Sequence, residues 1–352
     1  MRVIVVGAGI IGASVAYALS QRGCEVTVID GGLPAASETS FGWINASFYA
    51  DAAHHRLRVA GMQAHEALQT ALPDLPLRRT GALCFEEQGP ALERTAADLA
   101  ALSYGVETLD AARIAELEPA LAQVPQAALR FDAEQAAEPA VMAQRLLAAS
   151  GARLVRGLRV TGVTGRDAVT GVRTQVGDLP ADRVVIAAGC GAPDILASVG
   201  VRLPMLTRPG VLVTTQQHAP RLNHILVTPH GELRHLPDGR LLASAVANHQ
   251  GDDAEKVEET PEQIGARVMD WLRPLVGAPD LQWAQVALAH RPVPEDGLPV
   301  IGQAGPQGLH IAVMHSGVTL AAITGQVTAD AVTGKGGHDT LLAPYRPARF
   351  QP

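Results

Sequence analysis

Cysteine, lysine and aromatic residues are all scarce in this chain of 352 residues. The three cysteines, Cys24, Cys84 and Cys190, are odd in number and widely spaced, with no CxxC pair. They exclude a disulfide framework and a cysteine-based zinc site, and they fit a reducing cytoplasm. The twelve histidines are scattered and form no HExxH. The pair His54–His55 would face opposite sides of any strand, and nothing supports a metal site. Lysine occurs only at Lys256 and Lys335, and the net charge is −7. That leaves no basic face for a phosphate backbone, so nucleic acid is excluded as a partner. No stretch reaches roughly 20 uninterrupted apolar residues. The opening "MRVIVVGAGIIGASVAYAL" is broken by three glycines and ended by Gln21-Arg22, so it reads as neither a signal peptide nor a membrane span. With 47% hydrophobic and 18% charged residues, disorder is excluded too. The length suits two domains or one large α/β domain.

What is present begins at the N-terminus. "RVIVV" is a short β-branched run, the mark of a buried parallel strand. "GAGIIG" follows, with Gly7, Gly9 and Gly12, and then "ASVAYALSQRG" at helical spacing, closed by Gly23 as a C-cap. "CEVTVID" is a second strand ending on Asp30, eighteen residues after Gly12. Strand, tight turn, helix, strand and acid make a dinucleotide fingerprint. Gly7 permits the turn, Gly9 lets the backbone approach a pyrophosphate, and Gly12 lets helix and strand pack closely. The free N–H groups at the helix start, about Ile10 and Ile11, face the phosphates. Asp30 can accept hydrogen bonds from a ribose.

This motif alone serves NAD and FAD equally. The segment "AASETSFGWINASFY" bears on the choice. It holds Phe41, Trp43, Phe48 and Tyr49 in a chain with only three Trp, four Tyr and five Phe. Such a cluster suits a flat ring system, with Ser37, Thr39 and Ser40 as donors to phosphate or ribitol; the alternative is a core plug under a loop. "RVVIAAG" is another buried strand ending near Ala188 and Gly189. It is preceded by a helix over 139–150 and a strand or pair of strands that includes Val160. Toward the C-terminus, 309–314 reads as a strand, His315-Ser316-Gly317 as a turn, and a helix starts near Val318. A helix N-terminus there suits a reduced flavin, whose pyrimidine ring gathers negative charge, more than a nicotinamide.

Seven stretches, in order, carry a resemblance over nearly the whole chain. They are "VIVVGAGIIGASVAYALSQRGCEVTVID", "ASETSFGWINA", "GARLVRGLRVTGV", "DRVVIAAGCGA", "LPMLTRPG", "HRPVPEDGLPVIG" and "VMHSGVTLAAITG". The chain resembles the FAD-dependent D-amino acid oxidase, glycine oxidase and sarcosine oxidase family, glycine oxidase above all. The resemblance implies an α/β fold, α+β overall. A Rossmann-like FAD-binding domain would take residues 1–78, 133–205 and 297–352. An antiparallel-sheet substrate domain would take 79–132 and 206–296. Strand-like stretches within the latter, "GALCFEE", "GVLVTTQQ", "ELRHLPDGRLLASA" and "WAQVALAHRPV", agree with that. Amphipathic helices are expected near 89–101, 110–117 and 261–275. The cofactor set implied is Gly7, Gly9, Ile10, Ile11, Gly12, Asp30, Ser37, Ser40, Val160, Ala188, Gly189, Gly317, Val318, Thr319 and Leu320.

The family's chemistry is hydride transfer from a substrate Cα–H to flavin N5, and an imine that water hydrolyses. The protein must then hold the substrate carboxylate, for which an arginine fork is suited. Arg291 matches the carboxylate-binding arginine of glycine-oxidase-like members; the alternative is a structural pair with Glu295 or Asp296. Asn45, Ser47 and His315 are further pocket candidates. So is one of Arg234 and His235, since strand neighbours alternate. Two departures stand out: "LLASAVA" lacks the lysine that sarcosine-oxidase-type members place near N5, and no cysteine falls within 284–316, where a flavin tether would sit. Non-covalent FAD is therefore expected, with oxygen or another electron acceptor. The substrate classes in view are glycine, N-substituted glycines, including N-carboxymethyl β-amino acids of macrolactam synthesis, and D-amino acids. An NAD(P)-dependent dehydrogenase is the rival from another class.

Overall fold

Six strands lie side by side in one sheet, in the order Val300–Gln303, Leu309–Val313, Arg183–Ile186, Arg2–Val6, Glu25–Asp30 and Arg153–Arg156. All neighbours are parallel except the first pair, which is antiparallel. The computed structural model describes residues 1–217, 219–246 and 254–351. Its helices are α1 (Ile10–Ser20), α2 (Ala52–Ala71), α3 (Pro90–Ala101), α4 (Ala111–Leu117), α5 (Pro139–Ser150), α6 (Ala192–Ala197), α7 (Pro261–Leu275), α8 (Gly317–Val332) and α9 (Asp339–Leu342).

The sheet is covered on both faces, which is why its central runs are apolar without alternation. Val3 and Val5 point into a core shared with α1 and α8, while Ile4 and Val6 point into a second core on the other side. That second core is closed by α6 and a three-stranded antiparallel sheet of Val160–Thr164, Gly171–Thr174 and Gly177–Pro180. At the C-terminus of α1, Gly23 adopts φ +75° and the Cys24 N–H reaches the Leu19 carbonyl at 3.2 Å, so the chain turns back into the next strand as a left-handed cap allows.

The other large sheet has eight strands, in the order Trp283–His290, Pro209–Thr215, Leu241–Ser244, Gly231–His235, Ile225–Thr228, Ala82–Cys84, Ala127–Phe131 and Glu107–Asp110. One departure from the expected antiparallel pattern occurs where the two sequence segments meet: Ile225–Thr228 runs parallel to Ala82–Cys84. No hairpin joins these strands, so nothing forces them to run in opposite directions. One sheet face packs on α7 through Ile264, Val268, Met269 and Leu272. The helix starts with a complete capping box between Thr260 and Gln263. The other face packs on Phe41 and Trp43, which belong to the segment that follows the dinucleotide turn.

The expected helices near 89–101, 110–117, 139–150 and 261–275 are present within a residue or two. The reading of His54 and His55 as strand neighbours is corrected: both lie on α2, N-capped by Asp51, and both are buried. Among the described residues, no helix is long and apolar enough to cross a membrane.

Candidate active site

Between the carboxyl ends of the parallel strands and the Phe41 face of the eight-stranded sheet lies a cavity of about 950 Å³. This is the crevice where open α/β sheets bind ligands. At one end stands the glycine turn. A Cβ on Gly7, which sits at φ +109°, would fall 2.3 Å from the Ala187 carbonyl oxygen, and one on Gly12 would fall 1.9 Å from that of Gly7. No side chain fits at either position: Gly12 lets α1 start tight under the turn, and at Gly7 backbone alone meets whatever the cavity holds. The Ile10 N–H donates to Ser37 Oγ at 2.9 Å, which places that hydroxyl at the start of α1. Asp30 accepts from the Gly32 N–H at 3.0 Å. The turn, the open helix end and the cavity's size fit a dinucleotide cofactor.

Most of the sequence-derived set comes together here. Gly7, Gly9, Ile10, Ile11, Asp30, Ser37, Thr39, Ser40, Asn45, Val160, Ala188, Gly189, Arg291, His315, Gly317, Val318 and Thr319 all line the cavity. Of the aromatic cluster, Phe41 and Trp43 line it, whereas Phe48 packs edge-on behind Trp43, with ring centroids 5.4 Å apart.

Five residues are placed elsewhere, each for a visible reason. Gly12 is tucked under Gly7. Leu320 is fully buried in the core around α1 and α8. Ser47 is buried behind Asn45, with its N–H donating to Glu134 Oε1 at 3.3 Å. Arg234 and His235 do alternate, but neither lines the cavity. Arg234 is 1% exposed, forks onto Glu138 at 2.7 and 3.2 Å, and donates from Nε to the Phe41 carbonyl. It is a clamp on the segment carrying Phe41 and Trp43. The His235 carbonyl accepts from Arg78 at 2.9 Å.

Arg291 follows the strand Trp283–His290. Its N–H bonds to the Arg208 carbonyl at 2.8 Å and its Nη2 donates to the Pro209 carbonyl at 3.1 Å. The stem passes over Gly210, where a Cβ would stand 3.4 Å from Arg291 Cγ. Asp296, offered as a structural partner for Arg291, is instead forked onto Arg349 at 2.6 and 3.1 Å.

Behind the wall runs a buried polar network that sequence reasoning missed. Glu134 is fully buried and accepts from Trp43 Nε1 at 2.8 Å and Tyr104 OH at 2.9 Å. Burial pushes its carboxyl up to about 7, against those hydrogen bonds, which favour the charged form. Arg58 on α2 donates to the Asn45 carbonyl at 3.1 Å, to Asn45 Oδ1, and to Ser316 Oγ at 2.7 Å. Burial pulls its guanidinium down to about 10, so it stays charged at neutral pH. Thr319 Oγ1 donates to the Trp43 carbonyl and accepts from the Asn45 N–H, both at 3.2 Å. These bonds tie the segment 43–45 to the first turn of α8. Ser316 caps that turn at φ +58°, a left-handed position that few non-glycine residues adopt. Three buried polar side chains four and seven residues apart, His54, Arg58 and His65, share one face of α2 and were the available signal for it.

A family model described as "DAO: FAD dependent oxidoreductase" matches residues 2–331. A D-amino acid dehydrogenase of Cereibacter sphaeroides is 29% identical, covering 99% of this chain and 97% of its own length. A glycine oxidase of Pseudomonas aeruginosa is 26% identical, covering 99% and 98%. Among solved structures, glycine oxidase from Geobacillus kaustophilus superposes with a TM-score of 0.86 at 25% identity, covering 100% of both chains. Iminodiacetate oxidase from Chelativorans sp. shares the fold, with a TM-score of 0.84 at 23% identity over 98% of this chain and 99% of its own.

Proposed function

The chain belongs to the DAO family of FAD-dependent oxidoreductases, and from that premise we propose that it oxidises the C–N bond of an amino acid or N-substituted glycine. The observation that carries this reading is Arg291 in the wall of the cavity that also holds the glycine turn and the α8 N-terminus. A guanidinium fork there suits a carboxylate. FAD, when bound, supplies the hydride acceptor, and the resulting imine is hydrolysed to an oxo acid, glyoxylate for a glycine-type substrate, and an amine.

The chain's own residues then divide the work. The Gly7–Gly9 turn, the start of α1 and Ser37 hold the pyrophosphate. Asp30 holds the ribose, while Ser40, Val160, Ala188 and Gly189 line the cofactor's path. The N–H groups of Gly317, Val318 and Thr319 meet the flavin end. Arg291 takes the substrate carboxylate, and Asn45 and His315 stand at the amine side. Gly12 acts through packing, and Leu320, Ser47, Arg234 and His235 drop out of direct contact. The domain division is the one given above, and the cofactor is non-covalent: Cys24, Cys84 and Cys190 all lie outside 284–316.

A second reading within the class is a D-amino acid dehydrogenase with an acceptor other than oxygen. It is favoured by the 29% identical relative of that name and by the absence of lysine from 241–246. The finer reading, removal of an N-carboxymethyl group from a β-amino acid in the cytoplasm, is one arm of the test. The purified holoprotein is mixed anaerobically with glycine, sarcosine, longer N-carboxymethyl amines and D-amino acids, and bleaching of the flavin band is followed. Bleaching by one class assigns the substrate, and reoxidation by air separates oxidase from dehydrogenase. A protein that takes up no flavin, or whose flavin none of these reduces, contradicts the proposal.

A further inference from the structure

Arg58 is 1% exposed, yet it stands in the cavity wall. Its place is set by a helix crossing. Gly61, one turn further along α2, lies so close to the first turn of α8 that a Cβ would fall 2.5 Å from the Thr319 carbonyl oxygen. The crossing brings the Arg58 guanidinium to the α8 N-terminus, where Nη1 donates to Ser316 Oγ at 2.7 Å. The other donors go to the Asn45 carbonyl and Asn45 Oδ1. All three acceptors are neutral. Glu134 acts on Arg58 only through space, its own oxygens being taken by Trp43, Tyr104 and Ser47. Among the described residues Arg58 forms no ion pair.

A buried cation hydrogen-bonded only to neutral groups, with Glu134 supporting it only through space, is costly to keep. Here its charge adds to the positive end of α8 on the same stretch of wall. Two independent sources of positive potential converge where negative charge would be stabilised. We infer that Arg58 is the positioning residue of this end of the cavity. It fixes Asn45 and the Ser316 cap, and its charge favours the reduced, more negative form of FAD. The inference rests on the proposed FAD site and is separate from the role of Arg291.

The test reads the cofactor rather than turnover. Sulfite adds to oxidised flavin and leaves negative charge on the ring, so its affinity reports the potential at that end. Wild type, Arg58→Met and Arg58→Lys are loaded with FAD; the sulfite Kd and the midpoint potential are measured for each. Arg58→Met is expected to weaken sulfite binding about tenfold and to lower the two-electron midpoint by about 30 mV. Arg58→Lys, which keeps the charge but not the fork, is expected to stay close to wild type. That variant stands by itself if the methionine protein fails to fold. A wild-type sulfite Kd in Arg58→Met, or an Arg58→Lys protein as impaired as Arg58→Met, overturns the inference. So does a raised KM for amino acids at unchanged potential, which would make Arg58 a substrate ligand. Wild-type protein that binds no FAD defeats the reading of the site itself, a distinguishable failure.

Discussion

Single residues decide most of the site's chemistry. On the proposed reading Arg291 holds the substrate carboxylate, and truncating one partner of such a charge pair costs about 3–5 kcal/mol. At about 1.4 kcal/mol per decade, Arg291→Ala is expected to lower kcat/KM by roughly 10²- to 10³-fold while FAD stays bound. Steady-state kinetics on the substrate that bleaches the flavin checks this, and wild-type kinetics would remove Arg291 from the site. Glu134 makes a prediction of another kind. Its folded carboxyl titrates near 7, above the ordinary carboxylate value of 4.5, because burial disfavours the charge. The folded state therefore holds a proton that the unfolded chain has lost, and the contribution of Glu134 to stability falls as pH rises through the window from 4.5 to 7. The loss amounts to roughly 3 kcal/mol if the shift is taken at face value. Glu134→Gln lacks this fall, so the stability gap between wild type and variant should shrink from pH 5 to pH 8. Parallel melting curves would contradict the assignment. Neither Glu134 nor Arg58 was legible beforehand: a lone Glu or Arg in the chain reads as solvated, and their partners lie far away in sequence, Trp43 for one and Ser316 for the other.

At the scale of elements, α1 was legible nearly in full, since strand, glycines, helix and acid fall within 2–30 and need only local physics. Its packing gives a sharp comparison. Gly12→Ala places a Cβ 1.9 Å from the Gly7 carbonyl oxygen, whereas a Cβ on Gly23 meets nothing within 4 Å. Gly12→Ala should lose FAD as well as stability. Gly23→Ala should cost only the strain of a left-handed residue, about 1 kcal/mol, with FAD retained. Flavin content and melting temperature on the same samples decide. Helix α2 went unread because His54, His55, Arg58 and His65 share its buried face with Leu57, Met62 and Ala64 and interrupt the hydrophobic period. Burial depresses His54 and His65 to about 4. Their contribution is present above the ordinary imidazole value of 6.5 and is lost as pH falls toward 4. A His65→Gln variant is therefore expected to lose less stability than wild type between pH 6.5 and pH 4, read as the difference in melting temperature at each pH. The strand Gly231–His235 shows a different limit. Alternation correctly separated Arg234 from His235, but it could not say that the inward side meets Phe41 and Glu138 rather than the cavity.

At the scale of the whole molecule, two sheets meet along a segment that belongs to neither. Residues 41–45 pack against the eight-stranded sheet on one side and bond to α8 on the other. Asn45 and Trp43 therefore feel both, and the cavity between the sheets is closed by the same segment. The class of fold was readable from patterning and from the family resemblance. The one parallel pair, Ile225–Thr228 with Ala82–Cys84, was not, since it depends on how two distant segments meet. The central claim is that this cavity binds FAD and presents a carboxylate-bearing amine to it. Anaerobic titration of the purified holoprotein with N-carboxymethyl amines, glycine and D-amino acids tests it most directly. Stoichiometric loss of the flavin's visible band with one of them, abolished at the same concentration in Arg291→Ala, is the predicted result. A band that persists through every addition, or equal bleaching in both proteins, would contradict it.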